Sequence, residues 1–385
     1  MTVTTELPVP TPSRLLSLDI FRGATIAAMI LVNDPGDWGH VYSPLLHAEW
    51  HGWTPTDLIF PFFLFIVGVS LAFSFASRIA RGDSPRALYL HSLQRAAIIF
   101  GLGLFLNGFP YFPLSRIRIF GVLQRIGLVY LLAAFIYLIF RRHLRPVIIA
   151  IAVLLLGYWA LMTLVPVPGF GSGNLAPPDA SGMVGNLAAY VDRLALSGHM
   201  WRKFWDPEGL LSTLPAVATT LLGILAGHWL RSHQPQDIKF HGLAAAGVAA
   251  IVIGGIWGRW FPINKSLWTS SYTVFTAGFA CVVLAICYWL VDIKGWRRWA
   301  APFIWLGTNP LAIFFASTFV AKCLIIFHVP GTGPKPLSWQ GYFYQHFFAP
   351  LGQPIHTSLA WALCFVTVFT ALAFVLYKKH IFIKV

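Results

Sequence analysis

Long apolar runs follow one another along the whole chain, and short polar segments separate them. Each run has roughly 20 residues, the length of α-helix that crosses a hydrocarbon layer about 30 Å thick. The pattern therefore predicts a series of membrane-spanning helices. The predicted spans cover residues 15–33, 57–78, 90–108, 119–140, 146–165, 209–230, 241–258, 269–292, 301–326 and 357–377.

Composition supports a membrane protein over a soluble one. Hydrophobic residues make up 57% of the 385 residues and charged residues only 10%, and the mean hydropathy is +0.70. A soluble domain with this balance would aggregate in water. The apolar runs therefore predict an all-α fold, and the absence of any break in composition predicts one domain. It is a polytopic transmembrane helical bundle of about ten helices, forming a single integral membrane domain over residues 1–385.

The net charge of +14 fits nucleic acid or anionic lipid as a partner, and the positions of the basic residues favour lipid. They lie between the apolar runs, as the positive-inside rule expects of cytoplasmic loops. The chain thus predicts both termini in the cytoplasm, contact with membrane lipid and no nucleic-acid partner. The main basic clusters are Arg78/Arg81/Arg86, Arg141/Arg142/Arg145, Lys294/Arg297/Arg298 and Lys378/Lys379. The segments predicted outside are 34–56, 109–118, 166–208, 259–268 and 327–356.

The richest polar cluster follows the first helix. It contains Asn33, His47, Glu49 and Asp57. A histidine can act as base or nucleophile near neutral pH, and Glu49 or Asp57 could orient it. Asn33 could donate to an oxyanion that forms during acyl transfer. A plain surface histidine and a loose metal site of three histidines are the alternatives, although their spacing is not that of a known metal motif.

Ionisable and polar side chains inside or beside apolar helices are further candidates, because burying them in a membrane is costly. Asp19 and Arg22 share one helix face and either neutralise each other or hold a ligand phosphate. Arg125, next to Gln124, should meet an anion of the protein or of a ligand. Asp206 and Glu208 either bind a ligand or cap a helix N-terminus. Three more polar residues stand beside later helices, namely Asn264, Lys265 and Asn309.

Several of these residues belong to motifs that resemble the heparan-α-glucosaminide N-acetyltransferase family and its bacterial relatives. The motifs occur in the family's order and cover most of the chain. They are Leu18-Asp19-Ile20-Phe21-Arg22-Gly23, Val32-Asn33, His47-Ala48-Glu49-Trp50, Asp57-Leu58-Ile59-Phe60-Pro61, Phe65-Ile66-Val67-Gly68, Gly121-Val122-Leu123-Gln124-Arg125, Asp206-Pro207-Glu208-Gly209, Ile263-Asn264-Lys265 and Asn309.

The resemblance implies transfer of an acetyl group from cytoplasmic acetyl-CoA to a glucosamine-like amine on the far side of the membrane. His47 takes the place of the family's catalytic histidine, as either base or acetyl carrier, with Asn33 and Asp57 as its catalytic partners. No metal is implied, and the relatives suggest a homodimer. The residues expected to bind the cosubstrate are Asp19, Arg22, Gln124 and Arg125. Those expected to bind the acceptor are Glu49, Asp206, Glu208, Asn264, Lys265 and Asn309.

The sequence departs from the lysosomal enzyme in two ways. First, the luminal domain and one helix of that enzyme have no counterpart here, which favours the inner (plasma) membrane of a bacterium as the location. Second, His51 stands where that enzyme has a different residue. The acceptor therefore stays open, and O-acetylation of an envelope glycan is an alternative. A proton-coupled transporter of an anionic solute is another, because Asp19 and Arg125 lie in apolar helices, but no internal repeat supports it.

Overall fold

The computed structural model describes residues 15–141, 143–330 and 336–383. Arg142, a member of one predicted basic cluster, and residues 331–335 of the last predicted outside segment fall beyond this description. The helices are α1 (Leu16–Asn33), α2 (Pro55–Ala80), α3 (Pro85–Gly108), α4 (Val122–Ile139), α5 (Leu144–Leu164), α6 (Leu187–Leu196), α7 (Thr213–Arg231), α8 (Gln236–Trp257), α9 (Ser270–Tyr288), α10 (Ala301–Thr308), α11 (Pro310–Ile326), α12 (Trp339–Phe343) and α13 (Pro354–Lys378).

The number and positions of the long helices confirm the all-α membrane bundle. Within the described residues, nine helices are long and apolar enough to cross a membrane: α1–α5, α7, α8, α13 and α9 with its extension to Ile293. The predicted span 301–326 is not one straight helix. It consists of α10 and α11, which meet at an angle of 76°. Pro310 explains the break, because a proline lacks the N–H group that continues a helix and disfavours helical geometry at the preceding Asn309.

Glycines allow two helix pairs to cross in close contact. A Cβ atom on Gly68 of α2 would lie 1.9 Å from the carbonyl oxygen of Thr220, and one on Gly223 of α7 would lie 2.1 Å from that of Phe65. The pair α1 and α10 crosses in the same way, through Gly23 and Gly307. Small residues at such crossings let backbones approach inside a membrane, where packing holds helices together. These crossings fix α1 and α2, the helices that flank His47.

The bundle has two polar ends and an apolar middle. Asp19 lies in the first turn of α1, and Asn33 is the last residue of the same helix. The rise of an α-helix puts them about 21 Å apart. Between them, Ile26, Leu64 and Leu221 belong to one core cluster and are fully buried. We call the two ends the Asp19 end and the His47 end.

Two segments outside the spans are also ordered at the His47 end. The sequence predicts an amphipathic helix through Leu187, Val191, Leu194 and Leu196, and α6 forms there. Its buried residues, however, are Ala188, Ala189, Asp192 and Leu196, and Leu194 is 69% exposed. Ala188 and Ala189 pack in a cluster with Trp50 and the end of α5. The described part of segment 327–356 contains α12 and further helical turns to Leu351.

Candidate active site

His47 is held by an aspartate at the start of the second helix. Asp57 Oδ1 lies 2.7 Å from His47 Nδ1, while Oδ2 accepts hydrogen bonds from the backbone N–H groups of Ala48 and Thr54, each at 3.0 Å. Thr54 and Asp57 form a capping box on α2, so the residues that begin the helix also orient the histidine. A carboxylate only accepts, which assigns the proton to Nδ1 and puts the lone pair of the ring on Nε2, where it can accept a hydrogen bond or a proton.

A lysine from the α8–α9 connection reaches the same imidazole. Lys265 Nζ lies 2.8 Å from His47 Nε2 and 3.1 Å from Nδ1. Burial lowers the pKa of Lys265, although the carboxylates of Asp57 and Glu208 oppose that shift. The turn that carries Lys265 is held by Asn264, whose Oδ1 accepts the N–H of Leu267 at 2.9 Å. Asn264 thus holds the backbone of the site, and it is itself fully buried.

A second wall of the site contains one arginine and the two buried carboxylates that bind it. Arg118 donates from Nε to Asp206 Oδ2 at 2.8 Å, and its Nη2 contacts both Asp206 Oδ1 and Glu208. Burial raises the pKa of Glu208, but Arg118 and the neighbouring cations outweigh burial and hold it below its usual range. The next helix, α7, begins only at Thr213. The two carboxylates therefore bind Arg118 and do not cap that helix.

Arg125 and Gln124 lie buried on α4. Arg125 Nη2 donates to the carbonyl oxygen of Gly209 at 2.9 Å and to Ser212 Oγ, and its guanidinium stacks on the Trp268 ring at 5.2 Å. Its Nε and Nη1 atoms, like Nε2 of Gln124, have no hydrogen-bond partner among the described residues. Among the described residues, no carboxylate therefore contacts Arg125 directly. Its guanidinium instead binds the backbone of Gly209, next to Glu208.

These walls enclose a cavity of about 440 Å³ at the His47 end. Residues from four connections, α1–α2, α3–α4, α6–α7 and α8–α9, contribute to it, together with the ends of α1, α2 and α4. These connections fall in four of the five segments predicted to share one side of the membrane. The lining residues are Met29, Val32, Asn33, His47, Ala48, Trp50, Thr56, Asp57, Ile59, Phe60, Arg118, Val122, Trp201, Arg202, Trp205, Pro207, Glu208, Lys265 and Ser266.

Some predicted site residues do not line this cavity. Asp19 and Arg22 are at the opposite end, where Arg22 donates to Asp19 Oδ1 at 3.0 Å and to Ser70 Oγ at 2.7 Å. The predicted ion pair is therefore present. Asn309 stands at the break between α10 and α11 and binds the C-terminal segment: its Nδ2 donates to the carbonyl oxygen of Ile381 at 2.9 Å. Glu49 is exposed and does not line the cavity.

The three histidines considered as a metal site have separate partners. His40 Nδ1 lies 2.7 Å from Asp37, His47 binds Asp57, and His51 lies 3.4 Å from Asn264 Nδ2. In the part of the chain that the structure describes, no group of three or more His, Cys, Asp or Glu residues is arranged to hold a metal ion.

Several lining residues were not predicted as site residues, among them Arg118, Trp201, Arg202, Trp205 and Ser266. Trp201, Arg202 and Trp205 stand directly before the Asp206–Gly209 motif. Alternating aromatic and basic residues next to a recognised motif are the signal that would have found them. Arg118 is separated from its partner Asp206 by 88 residues, and no local pattern links the two.

Fold and site together define a polytopic membrane protein that holds a histidine–aspartate pair and a lysine in a cavity at one end of its bundle. The chain belongs to the family described as "Heparan-alpha-glucosaminide N-acetyltransferase, catalytic", whose model matches residues 14–260. This confirms the resemblance stated on the motifs.

Two curated relatives carry the family's name. The chain is 30% identical to heparan-alpha-glucosaminide N-acetyltransferase of Homo sapiens over 97% of its own length, and 29% identical to that of Mus musculus, also over 97%. It spans about 60% of the length of these relatives, which are larger proteins.

Proposed function

We propose that the protein is a transmembrane acetyltransferase that moves the acetyl group of acetyl-CoA to the amine of a glucosamine-like sugar bound in the cavity. The observation that carries this proposal is the contact between His47 Nδ1 and buried Asp57, which leaves Nε2 as a base or nucleophile at the cavity wall. The name of the relatives supports acetyl transfer to a glucosamine-type amine.

The residues of the cavity suit acyl transfer. In the direct path, the amine nitrogen attacks the thioester carbon while Nε2 of His47 takes the amine proton; the C–S bond breaks, and the proton passes to the leaving sulfur. In the two-step path, Nε2 attacks the thioester carbon, the C–S bond breaks and CoA leaves as a thiolate. The amine then attacks the acetyl group on Nε2, the bond to His47 breaks, and the amine proton passes to the thiolate. Both paths place negative charge on the carbonyl oxygen. The side chains of Asn33 and Lys265 are the donors assigned to it.

The proposal assigns the ends of the bundle to the two substrates. The acceptor sugar enters at the His47 end, where Trp201 and Trp205 offer aromatic faces to its ring. Acetyl-CoA approaches from the Asp19 end, which lies in the cytoplasm of a bacterium, with Arg22 beside its path. Only the acetyl group then crosses the membrane. A cavity of about 440 Å³ suits one sugar ring and the thioester end of the donor.

Reconstituted protein tests this directly. Purified protein in lipid vesicles receives acetyl-CoA labelled in the acetyl group on one side and glucosamine on the other. Label on the glucosamine nitrogen is the expected result. Label found only on a hydroxyl would mean that the protein transfers the acetyl group to oxygen. Solute that crosses the membrane unreacted would instead identify a transporter.

His47→Ala should abolish this transfer, and His40→Ala is the matched control. His40 lies in the same connection and also contacts an aspartate, Asp37, but it does not line the cavity. His47→Ala should therefore reduce turnover by at least about 10³-fold, while His40→Ala keeps it. Equal turnover in the two variants would remove His47 from the mechanism.

A further inference from the structure

Lys265 brings a primary amine against the reactive nitrogen of His47. Its Nζ atom lies 2.8 Å from Nε2 and 3.1 Å from Nδ1 of the imidazole. Both residues line the cavity of about 440 Å³, so an acetyl group held at Nε2 would touch this amine. The amine of Lys265 thus lies where the proposed function puts the amine of the acceptor sugar.

Main-chain hydrogen bonds hold Lys265 in this position. The N–H of Trp268 donates to the carbonyl oxygen of Lys265 at 3.0 Å and closes a turn there. The N–H of Gly52 donates to the carbonyl oxygen of Ile263 at 2.8 Å. That bond joins the connection that carries Lys265 to the connection that carries His47. The two side-chain nitrogens are therefore held together before any ligand arrives, which favours a reaction between groups bound to them.

The amine of Lys265 has no carboxylate in direct contact. Among the described residues, Lys265 forms no ion pair with an Asp or Glu, and its side-chain hydrogen bonds are those with His47. Burial lowers its pKa, although the more distant carboxylates of Asp57 and Glu208 oppose that shift. A lysine in such surroundings loses its proton more readily, and the neutral amine has the lone pair that a nucleophile needs.

We propose that Lys265 is an autoacetylation site: with acetyl-CoA bound and no acceptor in the cavity, its Nζ atom receives the acetyl group and becomes Nε-acetyllysine. The inference rests on the proposed function, because it takes the thioester of acetyl-CoA to the side of His47. A sugar in the cavity presents a competing amine and separates Lys265 from the acetyl group. The modification therefore belongs to protein that has the donor but lacks the acceptor.

The reaction needs no further reactant. The neutral amine of Lys265 attacks the acetyl carbon, which is bound either to the thioester sulfur or to Nε2 of His47. The new C–N bond replaces the C–S bond directly, or it replaces the C–Nε2 bond after the C–S bond has broken. The amine loses one proton, and the CoA thiolate takes it. The product is a neutral amide, so the acetylated protein loses the cationic donor assigned to the carbonyl oxygen.

Mass spectrometry of the purified protein tests the proposal. The protein is incubated with acetyl-CoA alone and digested, and the acetylation of each lysine is followed over time. Lys203 is the matched control, because it is an exposed lysine at the same end of the bundle that does not line the cavity of His47. We expect Lys265 to be acetylated at least about 10²-fold faster than Lys203, because the acetyl group is held beside it. Saturating glucosamine should suppress this acetylation.

Activity provides a second readout. Preincubation with acetyl-CoA alone should lower later transfer to glucosamine in proportion to the acetylated fraction of Lys265, relative to preincubation without acetyl-CoA. Lys265→Arg keeps a cation at this position, but a guanidinium stays protonated and does not attack the acetyl carbon. Whatever its starting rate, this variant should lose no activity during the same preincubation, and its acetylation should fall to the level of Lys203.

Three outcomes would overturn this inference while leaving the proposed function intact, in a preparation that acetylates glucosamine. They are acetylation of Lys265 no faster than that of Lys203, acetylation of Lys265 that saturating glucosamine does not reduce, and an equal loss of activity in the native protein and Lys265→Arg. A preparation that acetylates neither Lys265 nor any amine supplied to it would reject the proposed function, and this inference with it.

Discussion

Asp57 serves two purposes with its two carboxylate oxygens. Oδ1 orients His47, and Oδ2 accepts the N–H of Thr54 in the capping box of α2 and the N–H of Ala48 in the preceding connection. A single substitution therefore changes both the orientation of the histidine and the stability of the helix start, and the two effects must be separated by a second variant.

Asp57→Asn should reduce kcat on the order of 10³-fold, because an amide no longer fixes the His47 proton on Nδ1. Thr54→Ala is the comparison. It removes a capping hydroxyl that contacts Asp57 Oδ2 at 3.2 Å, at a cost of about 1 kcal/mol in stability, but keeps the contact between Asp57 and His47. Steady-state kinetics and thermal unfolding of both variants check this. A similar loss of kcat in Thr54→Ala would mean that Asp57 acts only as a helix cap.

Asp192 predicts a pH dependence of stability. Burial raises its pKa from 3.8 to about 6. Because the folded-state pKa is the higher one, the contribution of this group is fully present below about pH 4 and is lost as pH rises through about 6. The shift corresponds to a destabilisation on the order of 3 kcal/mol at pH 8. Asp192→Asn should therefore flatten the fall of the melting temperature between pH 5 and pH 7.

Asp179→Asn is the control for that measurement. Asp179 is fully exposed, and its hydrogen bond from Ser181 lowers its pKa, so it stays ionised from pH 5 to 7 in both folded and unfolded protein. Its substitution should leave the slope unchanged. An unchanged slope in Asp192→Asn would mean that other groups cause the dependence.

At the scale of single residues, the sequence predicted the centre of the site better than its walls. His47 and Asp57 lie ten positions apart in one polar cluster. The residues alone left Asp57 and Glu49 as alternatives, the family resemblance favoured Asp57, and the structure places Asp57 against His47. Arg118 was missed because its partner Asp206 lies 88 residues away. Trp201 and Arg202 were missed although they stand directly before a recognised motif. Asn264 was taken as a ligand of the acceptor, and the structure gives it a second role in holding the turn of Lys265.

At the scale of elements, the motif glycines are positions of close helix contact. Gly68 ends one recognised motif, and α2 touches α7 there with no space for a side chain. Gly23 ends another motif, at the crossing of α1 and α10. These two motifs therefore contain glycines that the packing of the site-bearing helices requires, in addition to any polar residues.

Gly68→Ala should lower the free energy of unfolding by about 1–3 kcal/mol, because the added methyl group would lie 1.9 Å from the Thr220 carbonyl oxygen. Gly157→Ala on α5 is the control, since a Cβ atom there meets nothing within 4 Å. Alanine favours helix over glycine, so this control should be neutral or slightly stabilising. Thermal unfolding of the purified variants compares them. Equal melting temperatures would contradict the tight crossing.

Hydropathy predicted the helices well, because span length depends on the thickness of a membrane and can be counted along the chain. It predicted the break at Asn309 poorly. A proline inside an apolar run is compatible with a kinked continuous helix as well as with two helices at 76°, and the packing against α13 and the C-terminal segment decides between them.

At the scale of the whole molecule, the orientation in the membrane remains a prediction, which rests on the basic clusters. It can be tested with two single cysteines in a cysteine-free background. Ser43→Cys lies at the His47 end and Gln234→Cys in the α7–α8 connection, at the Asp19 end, and both positions are exposed. An impermeant maleimide should label Ser43→Cys in intact cells, and Gln234→Cys only after permeabilisation. The opposite result would exchange the sides of donor and acceptor.

The buried layer of Ile26, Leu64 and Leu221 also has a consequence for the cell. A transferase with charged groups at both faces of a membrane risks giving protons and ions a path down their gradient. Side chains packed without access to water deny them that path. Under the proposed function, this layer would keep the transfer of an acetyl group from also becoming a leak of ions.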